Sequence, residues 1–315
     1  MSRLVWWNGE YIKEKDAKLS IFDSALMWGD CCFEMTRSFN KKQFKLKEHM
    51  MRLYNSIKYF QIPIEIDIDD LYYKVIETIE KNEEVFNDDD EHRVLINVTR
   101  GLLPLYQDKI DITKGTNIII SVFPLCWAVK GMGKYFDKGI NVVIPSQRAI
   151  PASLLEPKVK NRSRAHYMMA NLEVSKYEGD NNWPLLLDPD GFIAEGTGYN
   201  FFIVKGDKVI SPEPRNILRG ISREYIKELL YSKYFVGTKM KFVEKNIEVY
   251  DVIIADEAFV TATPFCILPV TSINGIKINS GNPEKTYHKF LSAWSNNVQV
   301  DIKSQIKKWD TCNGL

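Results

Sequence analysis

A lysine and a glutamate are the residues of this chain whose setting suggests covalent chemistry. Lys160 stands in Glu156-Pro157-Lys158-Val159-Lys160-Asn161, after a strand-like run and just before a helix. Ala165, Met168, Met169 and Leu172 fall at i, i+3, i+4 and i+7, which predicts that helix and gives it one buried face. Strand-like Pro184-Leu185-Leu186-Leu187 then reaches Asp188-Pro189-Asp190-Gly191, a strong turn signal. The chain returns through Glu195 into a glycine-rich bend, Glu195-Gly196-Thr197-Gly198-Tyr199-Asn200. An amine forms a Schiff base with an aldehyde, and a carboxylate holds a pyridine nitrogen protonated. A lysine at a helix start and an acid on a nearby bend are therefore two of the parts that a pyridoxal phosphate site needs. The pair does not suffice alone, because the chain has 42 Lys+Arg and 41 Asp+Glu and most charged side chains are solvated.

The elements that must position these groups follow from the rest of the chain. At 315 residues there is room for a sizeable core in two domains or one large one. A net charge of +1 carries no polyelectrolyte signature, so no nucleic acid partner is expected. The N-terminus has no basic segment leading into an apolar run, and no apolar stretch reaches membrane-spanning length, so no membrane association is expected. Five cysteines without metal-ligand spacing read as reduced thiols of a cytoplasmic protein, with no metal.

Residues 4–12 form a hairpin candidate about Asn8-Gly9. Met50, Leu53, Tyr54 and Ile57 make one helical stripe, and Leu71, Tyr72, Val75, Ile76 and Ile79 a second. The acidic run at 87–91 reads as a solvated loop. Residues 93–99 read as a strand continuing into Arg100-Gly101, and alternation sends Arg93 and Arg100 to opposite faces. The apolar run at 117–125 predicts a buried strand. Lys130-Gly131-Met132-Gly133-Lys134 is either a hinge or lid, or a plain surface connection. Beyond the bend, Leu218-Arg219-Gly220-Ile221-Ser222-Arg223 opens a helix with Tyr225, Ile226, Leu229 and Leu230 on its buried side. Its first amides and the Ser222 hydroxyl suit a phosphate. The strand at 257–262 ends at Thr263-Pro264-Phe265, and Asn274-Gly275 marks a further hairpin.

Val159-Lys160-Asn161, Glu195-Gly196-Thr197-Gly198-Tyr199-Asn200-Phe201-Phe202, Leu218-Arg219-Gly220-Ile221-Ser222-Arg223 and Ala255-Asp256-Glu257 occur in this order. Together they resemble the class IV, or fold-type IV, aminotransferases, the branched-chain and D-amino acid aminotransferase-like family of pyridoxal phosphate enzymes. The resemblance runs from about Trp7 to Leu291. It implies an α/β fold of two domains: a smaller N-terminal α+β domain at 1–129, an interdomain loop at 130–138, and a larger cofactor-binding domain with a barrel-like sheet at 139–315. It also implies a homodimer in which both subunits line each pocket.

Residue by residue, the resemblance makes Lys160 the catalytic lysine, forming the Schiff base and shuttling a proton. Tyr167 would meet the cofactor's phenolic oxygen and Glu195 its pyridine nitrogen, with Asn200 also at the cofactor. Arg52, from His49-Met50-Met51-Arg52-Leu53, would hold the phosphate together with the Ile221 and Ser222 amides and Thr263; outside the family such an arginine is ordinarily solvated. Trp28 and Phe33 would line the substrate pocket, where core packing is the bland alternative for both. Arg93 and Arg100 are rival carboxylate partners. Pro264 and Phe265 replace small residues whose neighbouring amides usually receive the substrate carboxylate, and proline has no N–H to give. Arg100, Arg162 and Arg164 are then the available cations, while Arg162, Arg164 and His166 read equally well as helix-start surface.

The implied reaction is transamination between a branched-chain-like amino acid and a 2-oxo acid. The alternatives are a D-amino acid or (R)-amine transaminase, an aminodeoxychorismate-type lyase, or a silent binding protein that kept the fold.

Overall fold

The computed structural model describes residues 2–109 and 115–311, and by packing the chain falls into two units. The first comprises Met1–Ala128 with Val159–Arg164, the second Val129–Lys158 with Ala165–Leu315. Lys160 therefore belongs to the first unit although its neighbours in sequence build the second.

The first unit is an antiparallel sheet under two helices. Its strands are β1 (Leu4–Trp7), β2 (Glu10–Lys13), β3 (Cys31–Phe39), β4 (Lys42–Gln43), β5 (His92–Thr99) and β6 (Asn117–Pro124), in the order β2-β1-β6-β5-β3-β4. Asn8 and Gly9 both take positive φ (48° and 102°) at the β1–β2 turn, as a two-residue hairpin of matched twist requires. Side chains alternate across the sheet. Cys32, Val94, Ile96, Val98, Ile118, Ile120 and Val122 form a core with Met50, Leu53 and Ile57 of the helix Leu46–Phe60 and with Leu71 and Val75 of the helix Ile68–Glu80. The opposite face carries Phe33, Arg93, Leu95, Asn97, Ile119 and Phe123.

Two expectations are corrected here. β6 is not buried throughout: its burial alternates, because the helices cover one face only. Nor is the acidic run wholly solvated, since Asp90 and Glu91 are buried. The Glu91 carboxylate accepts hydrogen bonds from the Ser38 hydroxyl, from Asn40 N at 2.7 Å and from Lys41 N at 3.0 Å. It thereby satisfies backbone amides at the β3–β4 turn, where Asn40 and Lys41 are both left-handed.

The second unit is a mixed barrel. β10 (Asn200–Lys205), β13 (Glu257–Ala262), β14 (Cys266–Ile273), β7 (Ile140–Val143), β8 (Asn182–Leu187) and β9 (Ile193–Gly196) pair in that order. The ring closes from β9 back to β10 through the single antiparallel rung Glu195↔Asn200. β7 runs parallel to both of its neighbours. β11 (Lys208–Pro212) and β12 (Lys241–Lys245) extend the sheet from β10, and β15 (Ile276–Lys277) pairs with β14.

The helix Ala165–Val174 forms as predicted, but its expected buried stripe faces outward: Met168, Met169 and Leu172 are 59%, 52% and 51% exposed. Ala170 instead packs against Ala149, Leu186, Ala194 and Ile217. This helix is apolar on two sides, and periodicity marks an apolar face without saying what covers it. In the segment at 130–138, the Gly131 amide donates to Asp310 Oδ1, and a Cβ at Gly133 would overlap the Asp310 and Lys307 side chains.

Cys31, Cys32, Cys126 and Cys266 are free thiols; Cys312 lies outside the described residues. Burial pushes the Cys31 thiol up to about 11, which keeps it unreactive. Among the described residues no helix is long and apolar enough to cross a membrane.

Candidate active site

In the first unit, residues 160–162 run beside β3 as an added edge. Phe33 N donates to Lys160 O at 3.0 Å and Arg162 N to Cys31 O at 3.0 Å, while Lys160 N donates to Ser56 Oγ at 3.2 Å. Strand alternation sends Val159 into the core and turns Lys160 and Arg162 to the other side. There they meet Phe33: Lys160 Nζ lies 5.0 Å from the ring centroid and the Arg162 guanidinium carbon 3.7 Å from it. The backbone of the lysine is thus pinned at two points, with a third bond at Arg162 two residues on, while its amine projects over the open face.

Arg52 sits in a buried charge cluster. Its Nε and Nη2 donate to the two oxygens of Glu34 at 2.6 and 2.9 Å, and His49 Nδ1 is 2.7 Å from Glu34 Oε2. His49 and Arg52 are three residues apart on one helix, so both reach the same acid. Burial by itself would raise the Glu34 carboxyl. The Arg52 and His49 charges and hydrogen bonds outweigh it and hold Glu34 far below the usual carboxylate range. Burial pulls His49 below its ordinary value against the opposing Glu34 charge, which favours the neutral ring. Glu34 was not singled out from sequence as a functional residue. The available signal was its place between Cys32 and Thr36 on the core-facing period of β3, where an acid demands a partner.

In the second unit, the buried Glu195 carboxylate is the focus. Tyr167 Oη donates to Oε1 at 3.0 Å, and Asn200 Nδ2 and Leu218 N donate to Oε2 at 3.0 and 3.1 Å. Asn200 also donates to Leu218 O at 2.9 Å, which ties the barrel seam to the loop that opens the helix Ile221–Leu230. That helix starts from Gly220 with no side-chain cap, so its first amides have no intrahelical acceptor. Ser222 is buried at its second position. An acid held by three donors beside an uncapped helix start fits a ligand that offers a ring N–H and a phosphate.

Gly220 touches this arrangement directly, since a Cβ there would overlap Asn200 Oδ1. Its φ of −66° is open to any residue, so Gly220→Ala is a steric test without backbone strain. We expect it to cost about 1–3 kcal/mol of stability and to weaken cofactor retention, read by thermal unfolding and by dialysis. An unchanged melting curve would show that Asn200 can move.

The remaining predicted residues have diverse settings. Thr263 and Pro264 lie in the turn after β13; Phe265 is buried against Trp183, with ring centroids 5.5 Å apart. Cys266, which follows, adopts a φ of +67°. Trp28 is 70% exposed at the end of the short helix Ser24–Trp28, beside exposed Leu26 and Met27. Arg93 is half-buried, with Met35 Sδ at 3.4 Å and the Phe123 ring at 5.9 Å. Burial, and then the adjacent Arg37 charge, push it down to about 10. Arg100 lies just past β5 and is held by Asp30, at 2.6 and 3.3 Å, and by the Phe60 and Gln61 carbonyls. The His166 ring lies tilted against that of Tyr167, with centroids 4.3 Å apart.

A closed mixed barrel carrying an acid at its seam, with a separate antiparallel sheet presenting a lysine, points to one class of pyridoxal phosphate enzyme. The model of the family described as amino-transferase class IV matches residues 31–273, and the chain belongs to that family, in its branched-chain amino acid aminotransferase group. It is a pyridoxal-phosphate-dependent aminotransferase. It is 34% identical over 277 residues to the provisionally named branched-chain-amino-acid aminotransferase of Methanocaldococcus jannaschii, covering 88% of this chain and 90% of that one. The Escherichia coli branched-chain amino acid aminotransferase superimposes with a TM-score of 0.80 at 25% identity over 94% of each chain. Another branched-chain amino acid aminotransferase, solved as its complex with N-(5'-phosphopyridoxyl)-L-glutamate, shares the fold with a TM-score of 0.80 at 23% identity, over 98% of this chain and 97% of that one.

Proposed function

We propose that this enzyme moves the amino group of a branched-chain-like amino acid to a 2-oxo acid, with Lys160 as covalent anchor and proton carrier. The observation that carries the reading is the way Lys160 is held, with its backbone N–H and carbonyl both bonded and its amine turned onto the open sheet face. Bound pyridoxal phosphate supplies an electron-accepting ring. Glu195 keeps the ring nitrogen protonated, aligned by Tyr167 and Asn200. Arg52, the Ile221 and Ser222 amides and Thr263 hold the phosphate. Once free, the Lys160 amine would take up and return the proton at the substrate α-carbon, a role that requires hydrogen-bond reach of that atom.

The substrate assignment draws on the open face, where half-buried Leu95, Ile119 and Phe123 offer apolar contact for a branched side chain and Phe33 is buried beneath the cations. Arg93 on the same face is desolvated and close to the Met35 sulfur, which suits the second carboxylate of a dicarboxylic partner. Relatives named branched-chain aminotransferases support this assignment, as does the glutamate moiety bound to one of them.

We also propose a homodimer that lends Trp28 to the neighbouring subunit's pocket. The support is the exposed apolar side chains clustered at Leu26, Met27 and Trp28, and again at Met168, Met169 and Leu172, since clustered exposed apolar groups mark interaction sites.

The reaction test uses the loaded enzyme and single donors. With an amino acid alone, about one equivalent of 2-oxo acid per subunit is expected, and release then stops until an acceptor 2-oxo acid is added. Continuous release from donor alone would reject transamination in favour of elimination. A screen of both enantiomers of several amino acids against pyruvate and 2-oxoglutarate, read in the same assay, identifies the donor.

A further inference from the structure

Three cations share one aromatic ring on the open face of the first unit. Besides Lys160 and Arg162, the Arg164 guanidinium carbon lies 4.8 Å from the Phe33 centroid. Attraction to the ring face offsets part of the repulsion among three positive groups, and an anion among them would offset far more. Among the described residues no acidic side chain forms a salt bridge with Arg162. Its hydrogen-bond acceptor is the neutral Asn97 Oδ1, at 2.9 and 3.2 Å. Arg164 Nε donates to Asn161 O at 2.8 Å, which turns its side chain back toward the ring.

Arg100 has a different situation, because Asp30 and two helix-end carbonyls already engage three of its nitrogens. The turn after β13 is one donor short at Pro264, because proline has no N–H.

We infer that Arg162 and Arg164 receive the substrate's α-carboxylate. In an α-amino acid the carboxylate is bonded to the same carbon as the amine, so a carboxylate site must lie beside the reacting lysine; both arginines share Phe33 with Lys160. The inference rests on the role proposed for Lys160. It restricts the substrates to α-amino acids and 2-oxo acids and disfavours simple amines. It also separates this site from Arg93, which lies four residues along β5 from Asn97, about 13 Å at strand rise.

The test compares the loaded parent enzyme with Arg162→Gln, Arg164→Gln and the double variant. Each is titrated calorimetrically with a saturated aliphatic monocarboxylate and with the matching primary amide. The parent is expected to prefer the carboxylate. The double variant is expected to lose about ten- to a hundred-fold of that preference, with a matching rise in KM for amino acid donors and a small change in kcat.

A parent without the preference, or a double variant that keeps it, overturns the inference. So does a fall in kcat with the preference intact, which would make the pair a support for Lys160. Monocarboxylic and dicarboxylic donors should weaken together; weakening of the dicarboxylic donor alone would assign the pair to a side-chain carboxylate and overturn the α-carboxylate assignment. Cofactor loading is read separately by visible absorbance. A parent that takes up no pyridoxal phosphate overturns the functional reading, whereas a loaded parent with unaltered variants overturns this inference alone.

Discussion

Lys160→Ala is expected to yield a folded protein that holds pyridoxal phosphate only non-covalently and has lost at least about 10²–10⁴-fold in turnover, the scale of a positioned proton carrier. The fold should survive because the contacts that fix this residue, to Phe33 N and Ser56 Oγ, belong to its backbone, and alanine keeps them. Borohydride reduction of the loaded parent, followed by peptide mapping, locates the modified lysine. Lys158 is the nearest competitor, but its amine is bound to Glu156 and to the Arg215 carbonyl at 3.1 Å. A label on Lys158, or full turnover in the alanine variant, would refute the assignment of Lys160.

The second large effect is expected at Glu34. Glu34→Gln removes the acid that bonds both His49 and Arg52, and breaking a buried pair from one side costs about 3–5 kcal/mol. The pH dependence has a definite sign. A carboxylate held below its unfolded value contributes stability that is present above about pH 4.3 and is lost as pH falls from there toward the folded value. His49, also held low, adds to acid sensitivity from a higher pH. Below about 6.5 the unfolded chain takes up a proton that the native ring refuses, so stability falls with acidification.

Denaturant unfolding of the parent should therefore weaken from about pH 6.5 downward and more steeply below about 4.3. The variant should start lower and lack the steeper part. Identical pH profiles would place the acid sensitivity elsewhere. A cycle of Glu34→Gln and Arg52→Ala, read as cofactor dissociation, should be strongly non-additive if the acid aims the arginine at the phosphate.

Local chemistry made much of this fold legible. The Asn8-Gly9 and Asn274-Gly275 hairpins and the helices at 46–60, 68–80 and 221–230 each have their cause within a few residues. What could not be read depends on which surfaces meet. Glu91 looked like one of several loop acids until the β3–β4 turn supplied three donors. The apolar side of the helix Ala165–Val174 was visible in its spacing, yet its exposure in the single chain was not. For the site itself, residue types suggested an amine and an acid, while the individual roles came from motif order. The pairing of Glu34 with His49 and Arg52 joins residues 15 and 18 positions apart on a strand and a helix, a closeness that only the folded unit reveals.

The lone rung that closes the barrel bears on redesign. Glu195 and Asn200 pair through their backbones across that rung, and through their side chains they hold each other and the Leu218 segment. The acid proposed to tune the cofactor ring is therefore also the clasp of the barrel wall. An engineer who exchanges it for a weaker or neutral partner, to steer the enzyme toward other chemistry, alters the clasp in the same stroke. If Glu195 has the role proposed for it, reaction type and barrel integrity are inherited together at this position, and a successful redesign would need a second clasp elsewhere along β9 and β10.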